Sequence, residues 1–109
     1  MNKVITIASI QMFIHKEKSK NMDEAKKYLK HINQLFPQVD MVVLPELSFI
    51  DTMKKMKDQA EEIPGDLTKF FSKLAKKYGV WLVPGSMYER SGDDVFNTAL
   101  VFSPKGEII

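Results

Sequence analysis

Two short apolar runs separated by a helical pattern constrain the fold of this chain most strongly. Residues 4–12 are almost continuously apolar and rich in β-branched side chains, and residues 40–44 read Asp-Met-Val-Val-Leu. Strands that are covered on both faces have this composition. Between them, apolar residues recur at the spacing of an amphipathic helix, at Met22, Ala25, Leu29, Ile32 and Leu35. A strand, a helix and a second strand in this order predict a parallel β-α-β unit.

Capping residues and breaks predict where two helices begin and end. Ser19 or Asn21 is the expected N-cap of the first helix, which Pro37 ends. Asp66 is the expected N-cap of a second helix, and Gly79 its C-cap. The apolar stripe of this second helix consists of Leu67, Phe70, Phe71, Leu74 and Tyr78.

The remainder of the chain predicts strands and turns. Residues 51–62 have an ambiguous periodicity and are assigned to a loop plus a helix. Residues 80–83 form a strand, Pro84-Gly85 breaks it, and residues 91–94 form the turn of a strand pair whose second strand covers 95–103. A further turn precedes residues 107–109, where the chain ends inside a strand. We expect one α/β domain, parallel at first and antiparallel later.

Composition and charge exclude several classes of function. There is no cysteine, so the chain holds no disulfide, no thiolate metal site and no thiol nucleophile. A net charge of +2 gives no reason to expect a nucleic acid or an anionic membrane as partner. The lysines around the first helix are interpreted as a solvated face. No apolar stretch approaches the roughly 20 residues needed to cross a bilayer, and no leader is evident, which predicts a cytoplasmic location.

No residue pattern indicates a cofactor or a metal. His15 and His31 are not at metal-ligand spacing and are interpreted as surface histidines. A dinucleotide-binding fold would require Gly-x-Gly-x-x-Gly after the first strand, and that pattern is missing. We therefore expect neither a cofactor nor a metal.

Three motifs together carry a family resemblance. They are Ala8-Ser-Ile-Gln11 in the first strand, Asp40-Met-Val-Val-Leu-Pro-Glu-Leu47 around the second, and Val95-Phe-Asn-Thr-Ala-Leu-Val-Phe102 near the end. With Ile63-Pro-Gly65 and Gly79-Val-Trp-Leu-Val-Pro-Gly85 between them, the chain resembles the nitrilase (carbon-nitrogen hydrolase) superfamily along essentially its whole length. The resemblance implies an αββα sandwich, of which residues 1–109 would be the N-terminal part, about the first half.

The resemblance also implies a catalytic residue. Glu46 matches the glutamate of the family's Glu-Lys-Cys triad, where it acts as general base toward the cysteine thiol. The lysine and the cysteine would both follow Ile109, because Lys105 precedes the last strand instead of following it. Asn97 matches a recurrent asparagine and is interpreted as structural. A carboxylate suits the base role if it is partly buried, which a strand end beneath neighbouring loops can provide.

The implied substrate is a small-molecule amide or nitrile, and its identity stays open. One departure from the family is Ser48-Phe-Ile-Asp-Thr52, which replaces a threonine-glycine-tyrosine stretch. With one triad member of three, the chain alone is expected to be inactive. Its incomplete sheets would favour a homo-oligomer. The alternative is a small α/β binding or interaction module that descends from this family and has no chemistry of its own.

Overall fold

The computed structural model describes residues 4–109 and places three parallel strands beneath helices. The elements in chain order are β1 (Ile7–Ser9), α1 (Lys18–Leu35), β2 (Met41–Val43), α2 (Met56–Gln59), α3 (Asp66–Tyr78), β3 (Trp81–Val83), β4 (Ser86–Ser91) and β5 (Asp94–Ala99). The first three strands form one sheet in the order β1-β2-β3, and β4 and β5 form an antiparallel pair. The parallel-then-antiparallel α/β prediction is confirmed.

The face of the sheet toward the helices forms the core. Ala8, Val42 and Leu82 lie side by side in the strand register, and Val42 and Leu82 are completely buried. Phe71 of α3 packs in the same cluster against Phe102, with 5.9 Å between ring centroids. The amphipathic stripes predicted for both helices therefore pack on this face of the sheet, except for Leu35, which is 70% exposed.

The opposite face of the sheet is largely uncovered by residues 4–109. Side chains alternate along a strand, so the neighbours of the buried row point away from the helices. Ile7, Met41 and Trp81 form one such row, in which Ile7 is 56% exposed and Trp81 38% exposed. The chain thus supplies one helical layer and one sheet layer, and leaves an apolar sheet face open.

The start of α1 differs from the sequence prediction. The helix begins at Lys18, so Ser19 and Asn21 lie inside it and neither is its N-cap. Asn21 is fully buried; its Oδ1 accepts the backbone N–H of His15 at 2.7 Å, and its Nδ2 donates to the His15 carbonyl at 2.9 Å. The carboxylate of Asp51 instead accepts the Lys18 N–H, at 2.8 Å. A residue 33 positions away in sequence therefore satisfies the helix terminus.

The borders of α3 agree with the sequence to within one residue. Asp66 is the first helical residue, and the N-cap is Gly65 instead. The side chain of Glu61 accepts the backbone N–H of Leu67 at 2.9 Å, which satisfies another helix-terminal donor. The prediction of Gly79 as C-cap is confirmed by its left-handed backbone, with φ at 62°.

Several predicted elements are shorter in the structure. The first strand spans three residues instead of 4–12, and the helix within 51–62 is a single turn, α2. The turn at 91–94 is confirmed, because Ser91 pairs with Asp94 across the hairpin. The predicted strand 95–103 is divided: β5 ends at Ala99, and Phe102 then pairs separately with Leu82 and Ile108. Within residues 4–109, no helix is long and apolar enough to cross a membrane.

Candidate active site

Glu46 lies just beyond the carboxyl end of β2, the middle strand of the parallel sheet. The hydrogen-bond ladder continues one residue past the strand, where the Leu44 N–H donates to the Val83 carbonyl at 2.8 Å. Pro45 and Glu46 follow in a turn. In open α/β sheets, ligands bind outside the carboxyl ends of the strands. The sequence prediction of Glu46 at a strand end is confirmed by its position.

The turn around Glu46 is held in an unusual backbone conformation. Leu47 has φ at 50°, in the left-handed region that side chains other than glycine seldom adopt. Its N–H donates to the hydroxyl of Ser86 at 3.3 Å, and the buried hydroxyl of Ser48 donates to the Pro45 carbonyl at 2.6 Å. A residue held this way costs about 1–3 kcal/mol, which the surrounding contacts must offset. The direction of the Glu46 side chain is therefore set by its neighbours on both sides.

Gly85 lets the Glu46 turn approach β3 closely. Its φ is 84°, and a Cβ built on it would lie 2.2 Å from the Pro45 carbonyl oxygen and 3.1 Å from the Glu46 Cα. Any larger residue would collide with the backbone that carries Glu46. The sequence identified Pro84-Gly85 only as a break after a strand, since the contact joins segments 40 residues apart.

Within residues 4–109, Asn97 is the residue whose side chain forms a hydrogen bond with the Glu46 carboxylate. It lies in the middle of β5 and donates from Nδ2 to Glu46 Oε1 at 3.3 Å. The sequence analysis assigned Asn97 a structural role but not this partner, a side chain 51 positions away in the sequence. One sequence signal could have indicated this contact. Asn97 is a single amide in the middle of a strand that lies at the same edge of the fold as the candidate site.

These residues surround a shallow pocket of about 390 Å³. The pocket is lined by Val43, Leu44, Glu46, Val83, Gly85, Ser86, Asn97 and Ala99. Among residues 4–109, Glu46 is the one ionisable side chain in this lining, and Lys105 does not contribute to it. Residues 4–109 do not provide the partial burial that would suit the base role, because Glu46 is exposed and no loop among them covers it.

The pocket contains no arrangement suited to a metal ion. Among residues 4–109, no group of three or more histidine, aspartate or glutamate side chains is close enough to hold one. Chemically, the pocket offers one carboxylate that can accept a proton, one amide donor and an apolar wall.

Comparison with known proteins identifies the family. The sequence profile of the family described as carbon-nitrogen hydrolase matches residues 6–109. The chain belongs to the carbon-nitrogen hydrolase family. The resemblance read from its motifs is thereby confirmed, and so is the nitrilase-superfamily fold.

The relatives of this carbon-nitrogen hydrolase chain are considerably longer than it is. It is 36% identical over 104 residues to a protein named Omega-amidase NIT2 from Danio rerio, which covers 94% of this chain and 37% of that protein. Nit3 of Saccharomyces cerevisiae, described as a member of branch 10 of the nitrilase superfamily, matches with a TM-score of 0.81 at 24% identity over 96% of this chain and 42% of its own.

A bacterial structure gives a similar match. A carbon-nitrogen hydrolase from Helicobacter pylori G27 aligns with a TM-score of 0.77 and 26% identity, over 95% of this chain and 37% of its own. The chain therefore spans well under half the length of the relatives it matches. The α/β arrangement described above is a part of their fold.

Proposed function

We propose that this chain carries the general base of a carbon-nitrogen hydrolase, and that Glu46 is that base. The observation that supports it best is the position of Glu46, a carboxylate at the carboxyl end of the central strand that lines a pocket. The membership of the chain in the family supports the reaction class. Glu46 occupies the position of the family's catalytic glutamate.

The proposed reaction needs two groups that residues 4–109 do not place in the pocket, a cysteine thiol and a lysine ammonium. Glu46 accepts the thiol proton, and the resulting thiolate forms a bond to the amide carbon. The lysine stabilises the oxyanion of the tetrahedral intermediate. The carbon–nitrogen bond then breaks, the nitrogen leaves as ammonia after taking the proton from Glu46, and water releases the acid and regenerates the thiol.

The proposed substrate is a small amide, and the terminal amide of a dicarboxylic acid is the preferred candidate. The zebrafish relative at 36% identity is named an omega-amidase, which favours this class over nitriles. Neither a cofactor nor a nucleic acid or membrane partner has a role in the proposed reaction. The proton acceptor itself needs no cofactor, because a carboxylate is already a base at neutral pH.

The open sheet face supports a proposal about assembly. Ile7 and Trp81 are 56% and 38% exposed on the side of the sheet away from the helices, and Val101 is 36% exposed. Burying apolar surface is favourable by about 25 cal/mol per Å², so this face has a strong tendency to be covered. We propose that the 109-residue chain self-associates through it when nothing else covers it, as a homo-oligomer. Gel filtration showing a stable monomer would contradict this.

A second candidate function is a non-catalytic binding module of the same descent. The observation in its favour is that Glu46 is exposed and is the one ionisable group in its pocket. Substrate sites normally have several convergent polar groups. This reading predicts that a small carboxamide binds near Asn97 with no turnover in any form of the protein.

The 109-residue chain should release no ammonia from a small dicarboxylic acid monoamide, since it contains no thiol. Turnover by the purified chain that persists through repeated purification and is abolished by Glu46→Gln would contradict the proposal that the nucleophile lies elsewhere. The native gene provides the complementary test. If it continues in frame beyond the Ile109 codon to a lysine and then a cysteine, the hydrolase proposal is supported. A stop codon there would favour the binding module.

A further inference from the structure

A groove between the outer faces of α1 and α3 concentrates positive charge away from the Glu46 pocket. The groove measures about 640 Å³. Six lysines and a single acidic residue, Asp66, line it; the lysines are Lys26, Lys27, Lys30, Lys69, Lys73 and Lys77. The groove thus carries a net +5 in a chain whose total is +2, which leaves a net −3 on the rest of the protein. Charge is separated over the surface instead of being mixed.

The lysines of the groove are poorly neutralised by the protein itself. Lys27 lies 3.8 Å from Glu24, and within residues 4–109 none of the other five has a carboxylate within 4.0 Å. The ammonium groups of Lys26 and Lys77 lie over aromatic rings, at 5.7 and 5.4 Å from the centroids. Like charges four residues apart on a helix, as at Lys69, Lys73 and Lys77, destabilise it. The arrangement costs stability, so helix formation alone does not account for it.

The floor of the groove is apolar and runs parallel to the lysines. Phe70, Leu74 and Tyr78 recur every four residues along α3, beside lysines that recur at the same interval. Four residues of helix rise about 6 Å, so the groove presents positive charges about 6 Å apart along an apolar strip. A helix that carries a carboxylate at every fourth residue places its negative charges at the same interval of about 6 Å. Its intervening apolar side chains would contact the floor.

The chemistry of the groove favours a protein ligand over a nucleic acid. Arginine is the residue that pairs with phosphates and base edges in a bidentate manner. The chain has a single arginine, Arg90, which lines a different pocket. A groove floored by Phe70 and Leu74 matches the helix-in-groove mode of peptide recognition.

We propose that the α1–α3 groove binds an acidic amphipathic helix of a partner protein. The carboxylates of that helix pair with Lys30 of α1 and with Lys69 and Lys73 of α3. Its apolar face covers the exposed parts of Phe70 and Tyr78, whereas Leu74 is already buried in the core. Glu46 does not line this groove, so binding of the acidic helix is independent of the proposed hydrolase activity and can be tested separately.

The test is a binding titration of the 109-residue chain with a synthetic helical peptide. The probe is a fluorescent 18-residue peptide that has glutamate every four residues and leucines on the same side. A second peptide with glutamine in place of each glutamate is the reference. Exposed ion pairs contribute little each, so the Lys30→Gln/Lys73→Gln variant, which removes two of them, should bind the acidic peptide roughly tenfold more weakly.

The matched control is Lys20→Gln/Lys76→Gln, which removes one lysine from each of the same helices outside the groove. It changes the net charge equally and should leave the affinity within about twofold. Thermal unfolding confirms that both variants are folded. An equal loss in both variants would overturn the proposal, and so would no measurable binding of the acidic peptide. Tighter binding to oligouridine or to phosphatidylserine vesicles than to the peptide would also overturn it.

Discussion

Replacing Gly85 by alanine should displace or destabilise the turn that carries Glu46. The added Cβ would lie 2.2 Å from the Pro45 carbonyl oxygen, whereas such contacts essentially never fall below 3.0 Å, so one segment must move by at least 0.8 Å. The left-handed backbone at Gly85 adds about 1–2 kcal/mol for a residue with a side chain. With the collision, we expect the free energy of unfolding to fall by about 3 kcal/mol or more.

Gly92→Ala is the matched control for this prediction. Gly92 also has a left-handed backbone, with φ at 61°, but a Cβ there would meet nothing within 4 Å. Its substitution should therefore cost only the backbone strain, about 1–2 kcal/mol. Urea unfolding followed by circular dichroism measures both variants, and unchanged m-values would show that the comparison is valid. Equal losses for Gly85→Ala and Gly92→Ala would refute the close approach of Gly85 to the Glu46 turn.

Two further substitutions test how the N-terminus of α1 is held. Asn21→Ala removes the buried amide that bonds both His15 backbone groups and should lower the free energy of unfolding by about 2–3 kcal/mol in urea titrations. Asn33→Ala, at an exposed position, should change it little. Asp51→Ala should cost about 1 kcal/mol at pH 7. The Lys18 N–H, together with the Lys54 ammonium, lowers the pKa of Asp51 against the opposing effect of burial.

Because the pKa of Asp51 is lowered in the folded protein, the stabilisation that Asp51 provides depends on pH in a definite direction. A carboxyl with a lowered pKa in the folded state stabilises the protein above its unfolded-state pKa, about 3.9, and this contribution is lost as the pH falls through the folded-state value. The difference in unfolding free energy between the wild type and Asp51→Ala should therefore narrow below about pH 4. A difference that stays constant down to pH 2 would mean that the Asp51 charge does not stabilise the terminus of α1.

The sequence predicted the elements whose signals are local. The apolar run of β2 and the proline after it placed Glu46 at a strand end, and the structure confirms that position. The stripe of α3 and its C-cap, Gly79, were correct because helix periodicity and left-handed glycine are properties of neighbouring residues. The hairpin at 91–94 was correct for the same reason.

The features that the sequence did not predict all depend on contacts between distant segments. Asp51 replaces the predicted N-caps of α1 because the loop after β2 folds back over the helix terminus. Gly85, between β3 and β4, and Asn97, in β5, meet the Glu46 turn, which no local pattern reveals. The exposure of Glu46 could not be predicted either, because burial depends on what covers a strand end and not on the strand itself.

The most direct test of the proposed function is ammonia release from a dicarboxylic acid monoamide by the product of the complete native reading frame. Glu46→Gln removes the proton acceptor while keeping the shape of the side chain, so kcat should fall by about 10²–10⁴ with folding unchanged. Glu62→Gln is the control, because Glu62 is exposed and lines a different pocket. Its activity should equal that of the wild type. If Glu46→Gln retains full turnover, Glu46 is not the base and the account of this site is wrong.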